Sequence, residues 1–462
     1  MNIKKNIIIF GVGEYYQRYK EKLKKYNIIA FIDNDSTKQN TEIDNIKVLA
    51  PEMISALKYD YIYLMSRDWC QMKKQLECLG IEEGVIRNHI LLEKEYEFWE
   101  IPLSWHSIDC AWPPDFLLIS YSLGRTGAPV ALLTAAKVLK CMGYKPLILS
   151  NEDGPLREEA LIADIPIVID EGIVSDVTRL EYWAEKVDYI IVNTIMYYQV
   201  LEEYRSNKPI IWWLHDSKQY YTMLTEGTDR EHSLPDFVRP YAVGPIAAKN
   251  FEDVYCLKPN NLLYGMEQYD VDLTGDTEKI VVSIIGSIVH RKGQDLLFGA
   301  FEKLPEEIKR RIEVWVVGAG DINFLPELSG EDVERIMATQ KIRFWGEVST
   351  EEVKKLYADT DILVCPSRED PMPIVVTEAM MLGIPIIVSD GCGTAPIIEM
   401  NNIGLIVKRD DVQALSEAIC YACQHLHDLL RDVERRKSVF QEYFSLDVFS
   451  DNIKKILSEN YC

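Results

Sequence analysis

Short apolar runs of strand length alternate with amphipathic helical segments along most of this 462-residue chain, and this alternation constrains its fold more than any other feature. Uniformly apolar strands separated by helices are typical of parallel sheets that helices cover on both faces, with ligands at the carboxyl ends of the strands. The sequence therefore predicts an α/β protein. The runs form three series: residues 6–10, 28–32 and 61–65; residues 116–120, 146–150, 165–169, 189–193 and 210–214; and residues 280–285, 314–317, 342–345, 362–365 and 386–389.

The predicted domain boundaries follow breaks in this alternation. Residues 1–92 form a small α/β domain, and residues 93–115, which are rich in Trp and Pro, form a linker. Residues 116–266 and 267–440 form two α/β domains of similar size, which we expect to face each other across a hinge. Residues 441–462 form a C-terminal helix that can cross back to the middle domain.

Composition and charge exclude one class of partner. The formal net charge is −23, whereas a nucleic-acid-binding protein needs clustered Lys and Arg to neutralise phosphates, so we expect no nucleic-acid partner. The ten cysteines are scattered over a long chain with an ordinary globular composition. We predict that they are reduced thiols and that the protein holds no metal.

No apolar run reaches the length of about 18 residues that indicates a membrane-spanning helix. The run over residues 7–10 is also too short for an export signal. The expected location is the cytoplasm, and peripheral contact with the inner face of a membrane stays open. The oligomeric state is not predicted.

The segment PSREDPMPIVVTEAMMLGIP over residues 366–385 carries the most informative functional pattern. A predicted strand leads into a loop with Asp370, Pro373 suits a first helical position, and Gly383 marks the end of the helix that contains Glu378. The amides and dipole of a helix N-terminus favour a phosphate, and two carboxylates suit the hydroxyl groups of a ribose or sugar. The combination predicts a nucleotide-sugar pocket.

Two adjacent cations follow the first strand of the third series, in the segment GSIVHRKG over residues 286–293. A diphosphate leaving group gains negative charge as its bond to a sugar breaks, and Arg291 and Lys292 can stabilise that charge without a metal. A solvated basic turn is the alternative. The presence of the acidic segment in the same chain favours the functional interpretation.

In combination, GSIVHRKG and PSREDPMPIVVTEAM resemble the C-terminal signature of the retaining nucleotide-sugar glycosyltransferases of family 4. The resemblance covers about residues 116–457. It implies the GT-B fold, with two facing Rossmann-like domains, here preceded by a smaller Rossmann-like α/β domain. It also implies a metal-independent, hexosyltransferase-like enzyme that needs no cofactor besides its nucleotide-diphosphate-sugar donor.

The resemblance also implies roles for individual residues. Arg291 and Lys292 would hold the donor diphosphate, Glu378 the ribose hydroxyls, and Asp370 the transferred sugar. The backbone around four further residues would complete the donor pocket: Met372, Pro373, Ile374 and Val375. Asp370 stands where the family commonly has Glu, and Ser287 stands where it often has Arg, with Arg291 as a substitute. These departures leave the choice of donor open.

Two segments of the middle domain are further candidates. Gly127 and Ala128 join a predicted strand to a helix in a segment that resembles the family's N-terminal glycine-containing loop, so they would lie near the donor diphosphate or the acceptor. An ordinary tight turn is the alternative. His215 follows a predicted strand and matches a family histidine near the transferred sugar. We predict that it positions substrate by hydrogen bonding rather than acting as a general base, while a structural histidine stays open.

Two positions after later strands are secondary candidates. Gly318 follows the run over residues 314–317 and could line the nucleotide pocket. Trp345 could flank the nucleotide base by stacking, and core packing would explain an aromatic residue there equally well.

The N-terminal domain has only part of a dinucleotide-binding fingerprint. Gly11 and Gly13 are present and Asp33 follows about 20 residues later, but Tyr16 replaces the third glycine. The domain resembles small Rossmann-like domains found beside bacterial sugar-modifying transferases. An assembly or regulatory role is therefore favoured over an oxidoreductase.

Three functions follow, in decreasing order of support. The first is a retaining glycosyltransferase that acts on a glycan, lipid-linked or protein acceptor, in bacterial surface polysaccharide biosynthesis by the family resemblance. The second is a non-catalytic GT-B scaffold or partner of another glycosyltransferase, which loss of the cation pair or the acidic segment would favour. The third is a nicotinamide enzyme built on the N-terminal domain.

Overall fold

The computed structural model describes residues 4–66, 69–82, 85–88, 114–225, 232–272 and 279–461. Of the predicted linker over residues 93–115, all but the last two residues lie outside the described residues.

The N-terminal part is a six-stranded sheet covered on both faces. Its elements are β1 (Asn6–Phe10), α1 (Glu14–Leu23), β2 (Asn27–Ile32), β3 (Glu42–Ile43), β4 (Ile46–Leu49), a 3₁₀ helix (Pro51–Ala56), β5 (Tyr61–Leu64), α2 (Trp69–Cys78) and β6 (Ile86–Asn88). The strand order is β3-β4-β2-β1-β5-β6, and among these strands only β3 runs antiparallel to its neighbour. Ile7 and Ile9 of β1 enter one apolar cluster, and Ile8 and Phe10 enter another, because successive side chains point to opposite faces.

The middle sheet has seven strands. Its elements are β7 (Phe116–Ser122), α3 (Gly127–Cys141), β8 (Pro146–Glu152), α4 (Leu156–Ile162), β9 (Ile167–Ile169), α5 (Val177–Ala184), β10 (Tyr189–Asn193), a 3₁₀ turn (Ile195–Tyr197), α6 (Tyr198–Glu203), β11 (Ile210–Leu214), α7 (Lys218–Thr225), β12 (Val238–Ala242), α8 (Pro245–Tyr255) and β13 (Asn260–Asn261). The strand order is β13-β12-β11-β10-β7-β8-β9. Gly127 and Ala128, which were predicted to join a strand to a helix, are the first two residues of helix α3.

The C-terminal sheet has six parallel strands. Its elements are β14 (Ile280–Ile285), a 3₁₀ turn (His290–Lys292), α9 (Gln294–Lys303), α10 (Glu306–Arg311), β15 (Ile312–Val317), a 3₁₀ turn (Ile322–Phe324), α11 (Gly330–Ala338), β16 (Ile342–Gly346), α12 (Thr350–Ala358), β17 (Ile362–Cys365), α13 (Ile374–Leu382), β18 (Ile386–Ser389), α14 (Ala395–Asn401), β19 (Leu405–Val407) and α15 (Val412–Gln424). The strand order is β16-β15-β14-β17-β18-β19. The order therefore reverses between β14 and β17, and ligands bind at such a switch point in open α/β sheets.

The chain ends in helices. These are α16 (Leu426–Leu429), a 3₁₀ turn (Leu430–Asp432), α17 (Val433–Phe444) and α18 (Leu446–Tyr461). Phe449 of α18 stacks on Trp213 of β11, with ring centroids 5.7 Å apart. The buried guanidinium of Arg436 donates a hydrogen bond of 2.9 Å to the carbonyl of Gly383 and so fixes the end of α13.

The residues form two compact units. The first comprises Met1–Leu123, Pro146–Ile190 and Tyr197–Lys208, and the second comprises Gly124–Lys145, Ile191–Met196 and Pro209–Cys462. The α/β class predicted from the alternation of apolar runs is confirmed. All the contacts of the candidate site described below lie within the second unit.

Candidate functional site

The acidic loop, residues 366–373, leaves the carboxyl end of β17 and enters α13. The backbone of Asp370 fixes its shape, because the Asp370 amide donates to Gly391 O at 2.9 Å and its carbonyl accepts from the Gly393 amide at 2.8 Å. Gly393 lies so close that a Cβ there would stand 1.7 Å from Pro371 O. The glycines at positions 391 and 393 thus let their backbone segment approach the backbone of the acidic loop closely.

The basic turn, residues 286–293, leaves the carboxyl end of the adjacent strand β14. It touches the acidic loop, because the Arg368 amide donates to Arg291 O at 2.8 Å. Gly293 closes the turn with φ +73°, and a Cβ there would stand 2.5 Å from Pro366 O. The sheet therefore brings together two motifs that lie far apart in sequence, as the predicted pocket requires.

The cations of the turn face the first carboxylate of the loop. Lys292 Nζ lies 2.5 Å from Asp370 Oδ2, and Arg291 Nη1 lies 3.8 Å from the same oxygen. Burial lowers the pKa of Lys292, but the charge of Asp370, its hydrogen bond with Lys292 and the influence of Cys365 together outweigh burial, and the pKa is raised. Lys292 is therefore a cation at neutral pH, held by the carboxylate that the family resemblance assigns to the transferred sugar.

Glu378 lies in the first turns of α13, and both of its carboxylate oxygens accept hydrogen bonds from tyrosines. Tyr357 donates to Oε2 at 2.8 Å and Tyr269 donates to Oε1 at 3.1 Å. Burial raises the pKa of Glu378, and the two hydrogen bonds oppose that rise. Spacing in the sequence gave no indication of either tyrosine.

In the sequence, the N-terminus of α13 lies between these two carboxylates. Pro373 is its N-cap residue rather than its first helical residue, and Ile374 and Val375 begin the helix. No side chain of the described residues caps this end, so its first amides are left to donate hydrogen bonds to an anion. Met372 packs beside Gly244, where a Cβ would stand 2.5 Å from Met372 Cε.

The glycine-containing segment of the middle sheet reaches the same helix. A Cβ on Gly127 would stand 3.7 Å from Ile374 Cδ1. The next residue, Ala128, accepts a hydrogen bond of 2.7 Å at its carbonyl from Asn193 Nδ2. Asn193 Oδ1 is buried and has no hydrogen-bond partner among the described residues. Asn193 ends β10 and was not signalled by any motif.

His215 and Asp216 follow β11. The His215 ring packs on Trp213 with centroids 4.5 Å apart, and its Nε2 is buried with no partner in the described part of the chain. Burial lowers the pKa of His215 to about 3, so the imidazole is neutral. The Asp216 carboxylate accepts from the Ile195 amide at 2.7 Å, and burial raises the pKa of Asp216 to about 6. A neutral imidazole can hydrogen-bond a sugar hydroxyl but is a weak base, and the positioning role of His215 stays a prediction.

The remaining predicted residues lie around the carboxyl ends of β14, β15 and β16. The Ser287 carbonyl accepts from Gln294 Nε2 at 3.0 Å. Gly318 packs on the basic turn, because a Cβ there would stand 2.2 Å from Gly286 O. The ring contacts of Trp345 are with Trp315, at 5.1 Å, and with the guanidinium of Arg343, at 3.7 Å.

Glu369 is a residue of the acidic loop that the sequence patterns did not single out. Its side chain contacts two segments outside the loop. Its Oε1 accepts from the Lys218 amide at 2.5 Å and from Asn250 Nδ2 at 2.7 Å. These partners lie 151 and 119 residues away in sequence, so no local spacing could have indicated them.

Two features of the described residues bear on other chemistry. No group of three or more His, Cys, Asp or Glu side chains among them is arranged to hold a metal ion. The chain does contain one Cys-x-x-Cys spacing, Cys420 and Cys423, but both thiols are free and Cys423 is buried in the core of the C-terminal sheet. None of the helices in the described ranges has the length and apolar composition needed to cross a membrane.

Sequence models of three families match the chain. The family described as glycosyl transferases group 1 matches residues 266–437, and glycosyl-transferase family 4 matches residues 112–238. The family described as C2185-like, N-terminal, matches residues 3–87. The two glycosyltransferase matches together include every site residue that was predicted from the sequence.

Curated relatives match over shorter segments. An uncharacterised glycosyltransferase of Methanocaldococcus jannaschii is 32% identical over 139 residues, which is 29% of this chain and 34% of that protein. The lipopolysaccharide glucosyltransferase WaaG of Escherichia coli is 28% identical over 123 residues, which is 27% of this chain and 31% of that protein. The matched segments thus span about a third of the length of these relatives.

Among solved structures, that of Anabaena HepE in complex with UDP and glucose is similar in fold. Its TM-score is 0.62 at 18% identity, and the match covers 75% of this chain and all of that chain. Structures of this group confirm the predicted GT-B architecture, and the family matches confirm the prediction of a glycosyltransferase of family 4.

Proposed function

Because the chain belongs to the family 4 glycosyltransferases of the GT-B fold, we propose that it transfers a sugar from a nucleotide-diphosphate sugar to an acceptor, with retention at the anomeric carbon. The observation that carries this proposal is the meeting of the basic turn and the acidic loop at the switch point of the C-terminal sheet. The cation Lys292 pairs there with Asp370, and the acidic loop leads into the N-terminus of α13, the helix that carries Glu378.

The donor's charged parts fit the charged groups of the site. Lys292 and Arg291 would neutralise the diphosphate as it leaves, together with the amides at Ile374 and Val375. The Glu378 carboxylate, oriented by two tyrosine hydroxyls, would accept hydrogen bonds from ribose hydroxyls. We propose that the reaction requires neither a metal nor a cofactor, because these protein groups supply positive charge where the leaving group develops negative charge.

Asp370 and His215 would act on the transferred sugar. Asp370 already engages Lys292, so we assign it to recognition of sugar hydroxyls and to holding that cation, not to covalent attack. His215 is neutral and its Nε2 lacks a partner among the described residues, which suits a hydrogen bond to a hydroxyl.

For the acceptor we propose a glycan, a lipid-linked glycan or a protein in bacterial surface polysaccharide biosynthesis. The support is the similarity to a glucosyltransferase of lipopolysaccharide. We place the reaction in the cytoplasm, with peripheral contact at the inner face of the membrane where a lipid-linked acceptor would lie.

The test is release of nucleoside diphosphate from a panel of UDP-, GDP-, dTDP- and ADP-sugars, with water or simple glycosides as acceptors, in the presence and absence of EDTA. We expect one nucleotide class to be turned over in EDTA, with the product anomer assigned by NMR as retained. Lys292→Ala should abolish turnover, whereas Lys303→Ala, an exposed lysine on α9, should not. A folded protein that turns over no donor would point to a scaffold, and an inverted anomer would refute the stereochemical proposal.

A further inference from the structure

We propose that Glu369 is a positioning residue that fastens the acidic loop to the segment carrying His215, and so sets Asp370 and His215 in one arrangement for transfer. This inference rests on the proposed function. It concerns a carboxylate that touches no predicted donor group and that lies one residue before Asp370.

The fastening is a pair of hydrogen bonds to one oxygen. Glu369 Oε1 accepts from the Lys218 amide at 2.5 Å and from Asn250 Nδ2 at 2.7 Å. Hydrogen bonds to an ionised carboxylate are roughly twice as strong as neutral ones. Lys218 is the first residue of α7, where the helix dipole adds a favourable interaction with a negative charge.

Both hydrogen-bond donors, the Lys218 amide and the Asn250 side chain, are connected to the segment that carries His215. Lys218 lies three residues after His215 in the same segment. Asn250 is a buried residue of α8, and its side-chain amide also donates to the carbonyl of Asp216 at 3.4 Å. A single carboxylate therefore contacts the His215 segment directly through Lys218 and indirectly through Asn250.

The acidic loop on either side of Glu369 is also held in place by hydrogen bonds. Arg368, the residue before Glu369, donates to both carboxylate oxygens of Asp295, at 2.9 and 2.6 Å, and to Asp410 at 2.6 Å. Asp370, the residue after it, is tied by its backbone to Gly391 and Gly393. Glu369 therefore cannot change its position without disturbing contacts on both sides.

This arrangement has a kinetic consequence. A misplacement of about 1 Å between reacting groups can reduce a rate by about 100-fold. Loss of the Glu369 link would leave the diphosphate-facing groups, Arg291, Lys292 and the α13 N-terminus, unchanged in chemistry. Loss of the Glu369 link should therefore lower kcat while the KM for the nucleotide-sugar donor stays nearly constant.

The kinetic test compares Glu369→Ala, Asn250→Ala and the double variant with the wild-type chain. We expect each single variant to lower kcat by about 10-fold with the donor KM changed less than about 2-fold, and the double variant to be no slower than the slower single variant, because both act through one contact. Glu369→Gln keeps an acceptor oxygen and should recover most of the loss. Glu399→Ala, an exposed glutamate on α14, is the matched control.

Multiplicative losses in the double variant, or an equal rise in donor KM, would overturn the positioning role. A second readout does not depend on turnover: hydrogen–deuterium exchange at the Lys218 amide, which should become at least about 10-fold faster in Glu369→Ala if a hydrogen bond worth about 1.5 kcal/mol or more is lost. Unchanged exchange there would overturn the link even if the wild-type chain turned over no donor. Absence of turnover together with faster exchange would refute the proposed function and, with it, the positioning role.

Discussion

His215 and Asp216 are neighbours in sequence, and burial moves their pKa values in opposite directions. In both cases burial disfavours the charged form, which is the protonated form of histidine and the deprotonated form of aspartate. The result is a segment that is nearly uncharged in the folded protein around pH 5. This gives two predictions at the residue scale.

The first prediction concerns stability. The pKa of Asp216 is about 6 in the folded chain against an ordinary value of 3.8, so the folded chain holds this proton more tightly than the unfolded chain. The resulting stabilisation is complete below about pH 4 and is lost as the pH rises through about 6. Asp216→Asn removes this dependence and can still accept from the Ile195 amide. We expect it to match the wild type at pH 4 and to be more stable by about 2–3 kcal/mol at pH 7.5, measured by urea unfolding.

A constant difference between Asp216→Asn and the wild type at all pH values would contradict this account of Asp216. Asp236→Asn, at an exposed aspartate, serves as the control.

The second prediction concerns catalysis. Since the pKa of His215 is about 3, its titration cannot produce a limb in the activity profile between pH 5 and 8. We expect His215→Gln to lower kcat by about 10- to 100-fold, as the loss of a hydrogen bond to substrate would, and to leave the shape of the pH profile unchanged. A limb near pH 6.5 that disappears in the variant would instead identify His215 as a general base.

At the scale of elements, two turns that follow neighbouring strands create the site. The basic turn follows β14 and the acidic loop follows β17, and they touch where Gly293 meets Pro366. A side chain at Gly293 would be strained twice, by φ +73° and by the contact with Pro366 O.

We therefore expect Gly293→Ala to destabilise the chain by about 1–3 kcal/mol and to weaken donor binding, because it pushes the basic turn away from the acidic loop. Gly330→Ala is the matched control, since a Cβ there meets nothing within 4 Å. Thermal unfolding and titration with nucleoside diphosphate check both effects. Equal behaviour of the two variants would show that the contact between turn and loop is unimportant.

The elements also differ in how well their bounds and contacts could be predicted from the sequence. The bounds of β10, β11, β14, β17 and β18 agree with the predicted runs, because an apolar run flanked by turn residues is a local signal. The pairing of the two motifs could be predicted from family resemblance and from the geometry of parallel sheets. The partners of Glu378 could not, because Tyr269 lies 109 residues away and reaches Glu378 only after folding. Glu369 was missed for the same reason.

At the scale of the whole molecule, the N-terminal sheet packs against helix α5 of the middle sheet within the first compact unit. Tyr182 of α5 packs against the apolar cluster that contains Trp69, and Lys73 pairs with Glu185 at 3.1 Å. The domain matched by the C2185-like family thus packs against the middle sheet's helix α5.

Removing the Tyr182 ring should loosen this packing. We expect Tyr182→Ala to lower the stability of the N-terminal sheet by about 1–3 kcal/mol, seen as faster hydrogen exchange in β1 and β5, while nucleoside diphosphate affinity stays unchanged. Tyr421→Ala, at an exposed position, is the control. A loss of nucleotide affinity in Tyr182→Ala would show that the N-terminal sheet takes part in donor binding.

The most direct test of the central claim is calorimetric titration of the wild-type chain and of Lys292→Ala with UDP, GDP, dTDP and ADP. We predict that the wild-type chain binds one of these nucleotides and that Lys292→Ala binds it about 10- to 100-fold more weakly, because a charge-assisted contact of roughly 1.5–3 kcal/mol is lost. Lys303→Ala should bind like the wild type. Binding that is equally strong in Lys292→Ala, or a folded wild-type chain that binds none of the four nucleotides, would contradict the central claim.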